Sequence, residues 1–199
     1  MIRLTRITRL ALFPVLAAAA PLHAQNLINN PGFESGLTGW RATGPACDYW
    51  GGSARIDPAS GFGSSPRSGA ADAAFPQYAS SCYGQISQNI LTTSGGVYNV
   101  SFFAAAFGGS PDSFRASFAG VVLMDQPLTT SYQLYSFDVT ATGSSSVLNL
   151  EGWNAPGVEA VDDVSVTRVT PEPASFVLMA TGLTGLAGLA RRRRKRVDA

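Results

Sequence analysis

The residues whose chemistry most needs explaining are the adjacent carboxylates Asp162 and Asp163 in AVDDVSVTRV. Carboxylates can work as a pair on a glycosidic bond, hold a hard cation, or stand solvated at a surface. The flanking valines separate these roles. Side chains alternate along a strand, so if Val164 and Val166 face a core, Asp162 shares their side and Asp163 faces away. On that pattern the two cannot flank one scissile bond, and Glu159, three residues before Asp162, also lies on the opposite face. A carboxylate on a core face is costly unless it is paired or metal-bound. Two readings of Asp162 follow: a hard cation held by carboxylate and backbone oxygens, for which calcium is suited, or a carboxylate hydrogen-bonded to loop backbone at the edge of the fold.

Composition removes most other chemistry. The single histidine, His23, falls in the N-terminal leader described below. Without it the remaining chain has no Ser-His-Asp or Cys-His site and no His-ligated zinc, and two cysteines do not complete a structural zinc site. No enzymatic activity is expected. Aromatic residues offer a different chemistry, stacking on the apolar faces of sugar rings. Tyr49 and Trp50 in CDYWGG and Trp153 in EGWNAPG lie beside glycines, where a ring can be exposed, and Tyr78 and Tyr83 flank Cys82. The competing reading makes them core or loop-anchoring rings. Trp40 is expected in the core.

The elements that must position these residues are strands. VYNVSFFAAAF (97–107) sets Tyr98, Val100 and Phe102 against Asn99 and Ser101. YQLYSFDVT (132–140) sets Tyr135, Phe137 and Val139 against Ser136 and Asp138, and SVLNLEGW (146–153) sets Leu148 and Leu150 against Asn149 and Glu151. This period-two pattern, broken by Gly, Ser, Pro and Asp, predicts half-buried strands. About eight of them across 25–169 predict one all-β domain, an antiparallel β-sandwich of the jelly-roll kind. GFGSSPRSG (61–69) reads as a long loop.

Both ends of the chain read as targeting segments. Arg3, Arg6 and Arg9 precede an apolar stretch and a small residue at Ala24, the layout of a secretory signal peptide over 1–24, with a short buried helix as the other reading. Export gives the two cysteines an oxidising compartment, so a Cys47–Cys82 disulfide is expected over two free thiols. It would contribute roughly 3–4 kcal/mol by constraining the unfolded chain. Between 25 and 170, five arginines against eleven acids leave a charge of −6, which excludes a nucleic-acid backbone as partner. At the other end, Pro171, Glu172 and Pro173 precede 17 uncharged residues, 174–190, and then RRRRKR within a basic tail at 191–199. As a helix, 174–190 spans roughly 26 Å, the lower limit for a single transmembrane helix. The positive-inside rule leaves the arginines cytoplasmic and the domain outside.

Two resemblances refine this outline. NLINNPGFESGLTGW (26–40) and VDDVSV (161–166) resemble the opening and closing segments of jelly-roll carbohydrate-binding modules of families four, nine and twenty-two, which share a galactose-binding-like fold. That resemblance implies a structural Ca2+ with Glu34 and Asp162 as side-chain ligands and the Gly32 backbone carbonyl beside them, the rest coming from a loop near Ser68–Gly69. The tail, 170–199, resembles the PEP-CTERM sorting signal of Gram-negative bacteria, with Pro171, Glu172 and Pro173 as its motif. It implies an exosortase as processing partner and an inner-membrane-anchored precursor with its domain in the periplasm. The product would pass to the cell surface or extracellular matrix, in association with exopolysaccharide or biofilm. A plain tail anchor that is never cut is the other reading. On the domain two functions stand: a non-catalytic surface or matrix protein, or a dedicated carbohydrate-binding module with a defined glycan ligand.

Overall fold

Alternation of apolar and polar residues, with Gly, Ser and Asp at the breaks, makes strands that each bury one face. A computed structural model describes residues 24–44, 55–57, 63–76, 82–170, 179 and 181–187. Ten strands occur among these: β1 (Arg41–Thr43), β2 (Arg55–Asp57), β3 (Asp72–Phe75), β4 (Gly84–Leu91), β5 (Val97–Gly108), β6 (Asp112–Phe118), β7 (Val121–Gln126), β8 (Gln133–Thr140), β9 (Ser145–Asn154) and β10 (Gly157–Arg168). They form two five-stranded sheets, β1-β4-β9-β6-β7 and β2-β3-β10-β5-β8. Each pairing between neighbours is antiparallel.

The inner faces of the sheets make the core expected from the pattern. Tyr98, Val100 and Phe102 of β5, Phe114 and Phe118 of β6, and Leu148 and Leu150 of β9 are buried together. Phe102 lies 5.8 Å from Phe114 across the sandwich. Burying a side chain of this size contributes about 1.5–3 kcal/mol, so these rows carry much of the fold's stability. Trp40 packs at 5.3 Å on the fully buried Phe33, beneath the opening segment. Residues 63–69 form a loop, as the sequence indicated.

Strand β10 departs from simple alternation. Its register against β5 shifts between Asp162 and Ser165, and Asp163 sits at φ 51°. Asp tolerates this left-handed conformation better than most residues. The extra residue reverses the parity, so Val161, Val164 and Val166 all face the core. Asp162 therefore does not share a face with Val164 and Val166. It pairs with Phe103 on the outer face of its sheet, and the expected placement on the core face is corrected by the bulge.

The expected targeting segments fall mainly outside the described residues. Of the signal peptide only Ala24 is described, and Pro171, Glu172 and Pro173 are not. Residues 181–187 are helical, with Leu183 and Leu186 exposed, and no helix among the described residues is long and apolar enough to cross a membrane. Cys82, before β4, is buried and disulfide-bonded, while Cys47 lies outside the described residues.

Candidate functional site

Two places gather polar side chains. The first is the outer face of the β1-β4-β9-β6-β7 sheet. Because Leu148 and Leu150 point inward, Asn149, Glu151 and Trp153 of β9 point out, and the neighbouring strands align with them. Thr43, Gln85, Glu151, Arg115 and Asp125 stand directly opposite one another, one from each of the five strands. Hydrogen bonds and ion pairs link this row from end to end. Thr43 Oγ1 donates to Gln85 Oε1, and Gln85 Nε2 donates to Glu151 Oε1 at 2.8 Å. Arg115 Nη1 lies 3.5 Å from Glu151 Oε2, and its Nε and Nη2 donate to Asp125 Oδ2 at 2.9 and 2.8 Å. The hydrogen bond to Asp125 raises the Arg115 pKa above its ordinary value.

An aromatic pair closes one side of this row. Tyr83 and Trp153 meet edge to face at 6.4 Å, and the Arg115 guanidinium lies 5.1 Å from the Tyr83 ring centre. Tyr83 Oη donates to Ser113 Oγ at 3.1 Å, and Ser113 faces Trp153 across β6 and β9. Trp153 is only 9% exposed, so it presents an edge to solvent and not an open ring face. Tyr49 and Trp50, the other proposed ring platforms, lie outside the described residues. The row itself was not apparent from sequence. Glu151 and Asn149 had a definite face, but which strands flank β9 is a long-range fact that periodicity does not contain.

The second place is the outer edge of β10, beneath the 67–71 loop. Asp162 is fully buried, and its Oδ2 accepts N–H bonds from Arg67 and Ser68 at 3.0 Å each, while Oδ1 accepts from Asp163 N–H at 2.7 Å. Asp163 pairs with the Arg67 guanidinium and accepts from Ser68 Oγ at 2.8 Å. Both carboxylates thus meet the same loop, which corrects the expectation of opposite faces, and the cause is again the bulge. Glu34, exposed, accepts from Ala70 N–H at 2.9 Å and from Ala71 N–H at 3.3 Å. A Cβ on Gly32 would stand 3.6 Å from Asp162 Oδ1. The sequence-expected Gly32, Glu34 and Asp162 therefore do come together, around the loop near Ser68–Gly69.

Burial pushes the Asp162 carboxyl up to about 6, outweighing its three N–H bonds. Among the described residues no three or more Asp, Glu, His or Cys side chains are grouped to hold an ion, so backbone oxygens would have to complete the shell.

Comparison with known proteins bears on both ends of this picture. Residues 169–195 match the PEP-CTERM protein-sorting motif. The chain carries a PEP-CTERM sorting signal. No curated protein matches it. Among solved structures it resembles TmCBM61, determined in complex with β-1,4-galactotriose, at 20% identity and a TM-score of 0.51, over 73% of this chain and 100% of that one. It also resembles the CBM22-1 xylan-binding domain of Paenibacillus barcinonensis Xyn10C at 17% identity and a TM-score of 0.50, over 76% and 99% of the two chains. The enzymatically active domain of tailspike protein 4 from bacteriophage CBA120 shares the fold at 11% identity and a TM-score of 0.54, over 72% of this chain, which spans about a fifth (21%) of the tailspike chain. At such identities the likeness establishes the jelly-roll fold and nothing finer.

Proposed function

We propose that this is an exported, exosortase-processed surface or matrix protein whose non-catalytic jelly roll binds a glycan along the outer face of the β1-β4-β9-β6-β7 sheet. The five-strand polar row, flanked on one side by Tyr83 and Trp153, carries the reading. It presents alternating acceptors and donors to sugar hydroxyls, held in place by one another, with aromatic surface at one side for the apolar part of a ring. The fold is that of carbohydrate-binding modules, and the sorting signal would deliver such a domain through an inner-membrane-anchored, periplasmic precursor to the exopolysaccharide layer or biofilm. Glu34 and Asp162, with the Gly32 carbonyl, would hold a structural Ca2+. That ion would supply the positive charge the buried carboxylate lacks and tie the opening segment to β10. A Cys47–Cys82 disulfide belongs to the same reading.

The test is retention of the processed protein on the exopolysaccharide of its own host, with the Arg115→Ala and Trp153→Ala variants run alongside. Arg115→Ala removes the one cation of the row, which joins Glu151 to Asp125, while leaving the core untouched, and retention should fall at least tenfold. Equal retention of both folded variants and the natural protein would reject the sheet face as the binding surface.

A further inference from the structure

The inner rows of both sheets are apolar until their last positions at one end. β6 runs inward-facing through Phe118, Ala116 and Phe114 to Asp112, and β9 through Leu148, Leu150 and Gly152 to Asn154. β10 runs from Val161 to Glu159. Asp112 and Asn154 are direct cross-strand partners. Glu159, between Phe75 of β3 and Ala106 of β5, reaches across to the other sheet. A Cβ on Gly152 would stand 2.3 Å from Glu159 Oε2, so β9 has a glycine where this carboxyl arrives. Strands from both layers therefore deliver oxygen-bearing side chains to one end of the sandwich, Glu159 and Asn154 fully buried and Asp112 half-buried.

Donors are scarce there. Glu159 and Asn154 are both 0% exposed. The Glu159 carboxyl has the Trp153 backbone N–H and the Asp112 carboxyl beside it but makes no well-formed hydrogen bond to either, and Asn154 Oδ1 makes none. Asn154 Nδ2 donates to Gly108 O at 3.4 Å, and a Cβ on Gly109 or Gly157 would stand 2.6 or 2.7 Å from its Oδ1. Asp112 Oδ2 accepts the Leu128 N–H at 2.9 Å. Burial first, and the nearby Asp112 carboxyl second, hold the Glu159 carboxyl up to about 9. Among the described residues no ion pair reaches Glu159 or Asp112, and Arg115 on the same β6 strand is engaged on the outer face by Asp125 and Glu151.

A fully buried carboxyl beside a second, half-buried one, with an unpaired amide oxygen on the adjoining strand, is offset by a proton or by a cation. An oxygen-only set of this kind suits a hard cation. We propose that this end of the sandwich holds a divalent cation of the calcium class, bound by Glu159 and Asp112 through their carboxylates and by Asn154 through Oδ1. It is separate from the Glu34–Asp162 cluster, which lies on the other side of β10. The ion would join β6, β9 and β10 and so lock the two layers together.

Equilibrium dialysis of the full chain in detergent against Ca2+, with melting followed in parallel, tests this. The Asp162→Asn variant should retain one equivalent of Ca2+ and a Ca2+-dependent rise in Tm. Adding Glu159→Gln, neutral and of the same shape, should remove both. In the otherwise natural chain, Glu159→Gln alone should lower the stoichiometry by one equivalent, which keeps the test intact if Asp162→Asn does not fold. Unchanged stoichiometry on Glu159→Gln, or a natural chain that binds no Ca2+ at all, overturns the proposal. So does a Glu159→Gln chain that melts higher than the natural one in Ca2+, because a proton shared with Asp112 then explains the buried pair. Loss of the Glu34–Asp162 ion alone would leave this site standing.

Discussion

At the scale of single residues, the contact between Gly69 and Glu34 shows how tightly the opening segment is tied to the loop. Gly69 has φ +63°, and a Cβ there would stand 1.9 Å from Glu34 Oε1. Gly69→Ala therefore combines left-handed strain of roughly 1–2 kcal/mol with displacement of the carboxylate from the Ala70 and Ala71 amides. A melting curve should show a loss of roughly 3–8 °C. Glu34→Gln keeps the space and is expected to melt closer to the natural chain. The aromatic residues were legible to different degrees at this scale. Trp40 belongs to a segment whose pattern already placed it inside, and it is buried on Phe33. Trp153 stands beside a glycine like an exposed ring, yet Tyr83, just before β4 and 70 positions earlier in the chain, covers it, and no local period spans that separation.

At the scale of elements, β10 decides the site. Asp163 holds φ 51° at the bulge, a conformation that Asn shares readily and a β-branched residue does not. Asp163→Val should cost about 1–3 kcal/mol, read as a lower denaturant midpoint. Asp163→Asn gives up only a half-exposed ion pair with Arg67, worth about 0–1 kcal/mol, and should stay near the natural value. Equal midpoints for the two variants would mean that the bulge carries no strain. Strands β5, β8 and β9 were readable because apolar and polar residues alternate along them, whereas β3, buried on both faces, and β7, mostly exposed, carry little alternation. The bulge was not, since one inserted residue leaves no compositional trace and reverses every assignment on one side of it. That is why Asp162 was expected among the valines and is found under the 67–71 loop. The parity of Glu159 with Val161 was visible in the sequence, but the oxygens it meets come from β6 and β9, which only the pairing of strands brings near.

At the scale of the whole molecule, calcium and sorting make separate predictions. If Glu34 and Asp162 hold an ion, a chelator should lower the melting temperature of the processed protein by several degrees, and Asp162→Asn should make the chelator's effect smaller. An unchanged melting curve in chelator would count against both proposed ions. For sorting, replacing Pro171, Glu172 and Pro173 together by alanine in the native host should leave the full-length chain in the membrane fraction. Mass spectrometry of the C-terminus separates this from normal processing, and natural protein recovered at the surface with its arginine tail intact would reject exosortase cleavage.

The opening segment has one more consequence. Leu27 N–H donates to Val166 O at 2.8 Å, and Val166 N–H donates to Asn26 Oδ1 at 3.0 Å, so the start of the domain is laced to the strand that leads into the sorting signal. That strand, β10, is the middle of its sheet, with β3 on one side and β5 on the other. A tether attached beyond residue 170 pulls along its axis, and cross-strand hydrogen bonds stand perpendicular to that pull. The load is shared by many bonds in shear and does not peel them one at a time. A protein fastened at its C-terminus and dragged by flowing liquid would thus be gripped through its most deeply embedded strand.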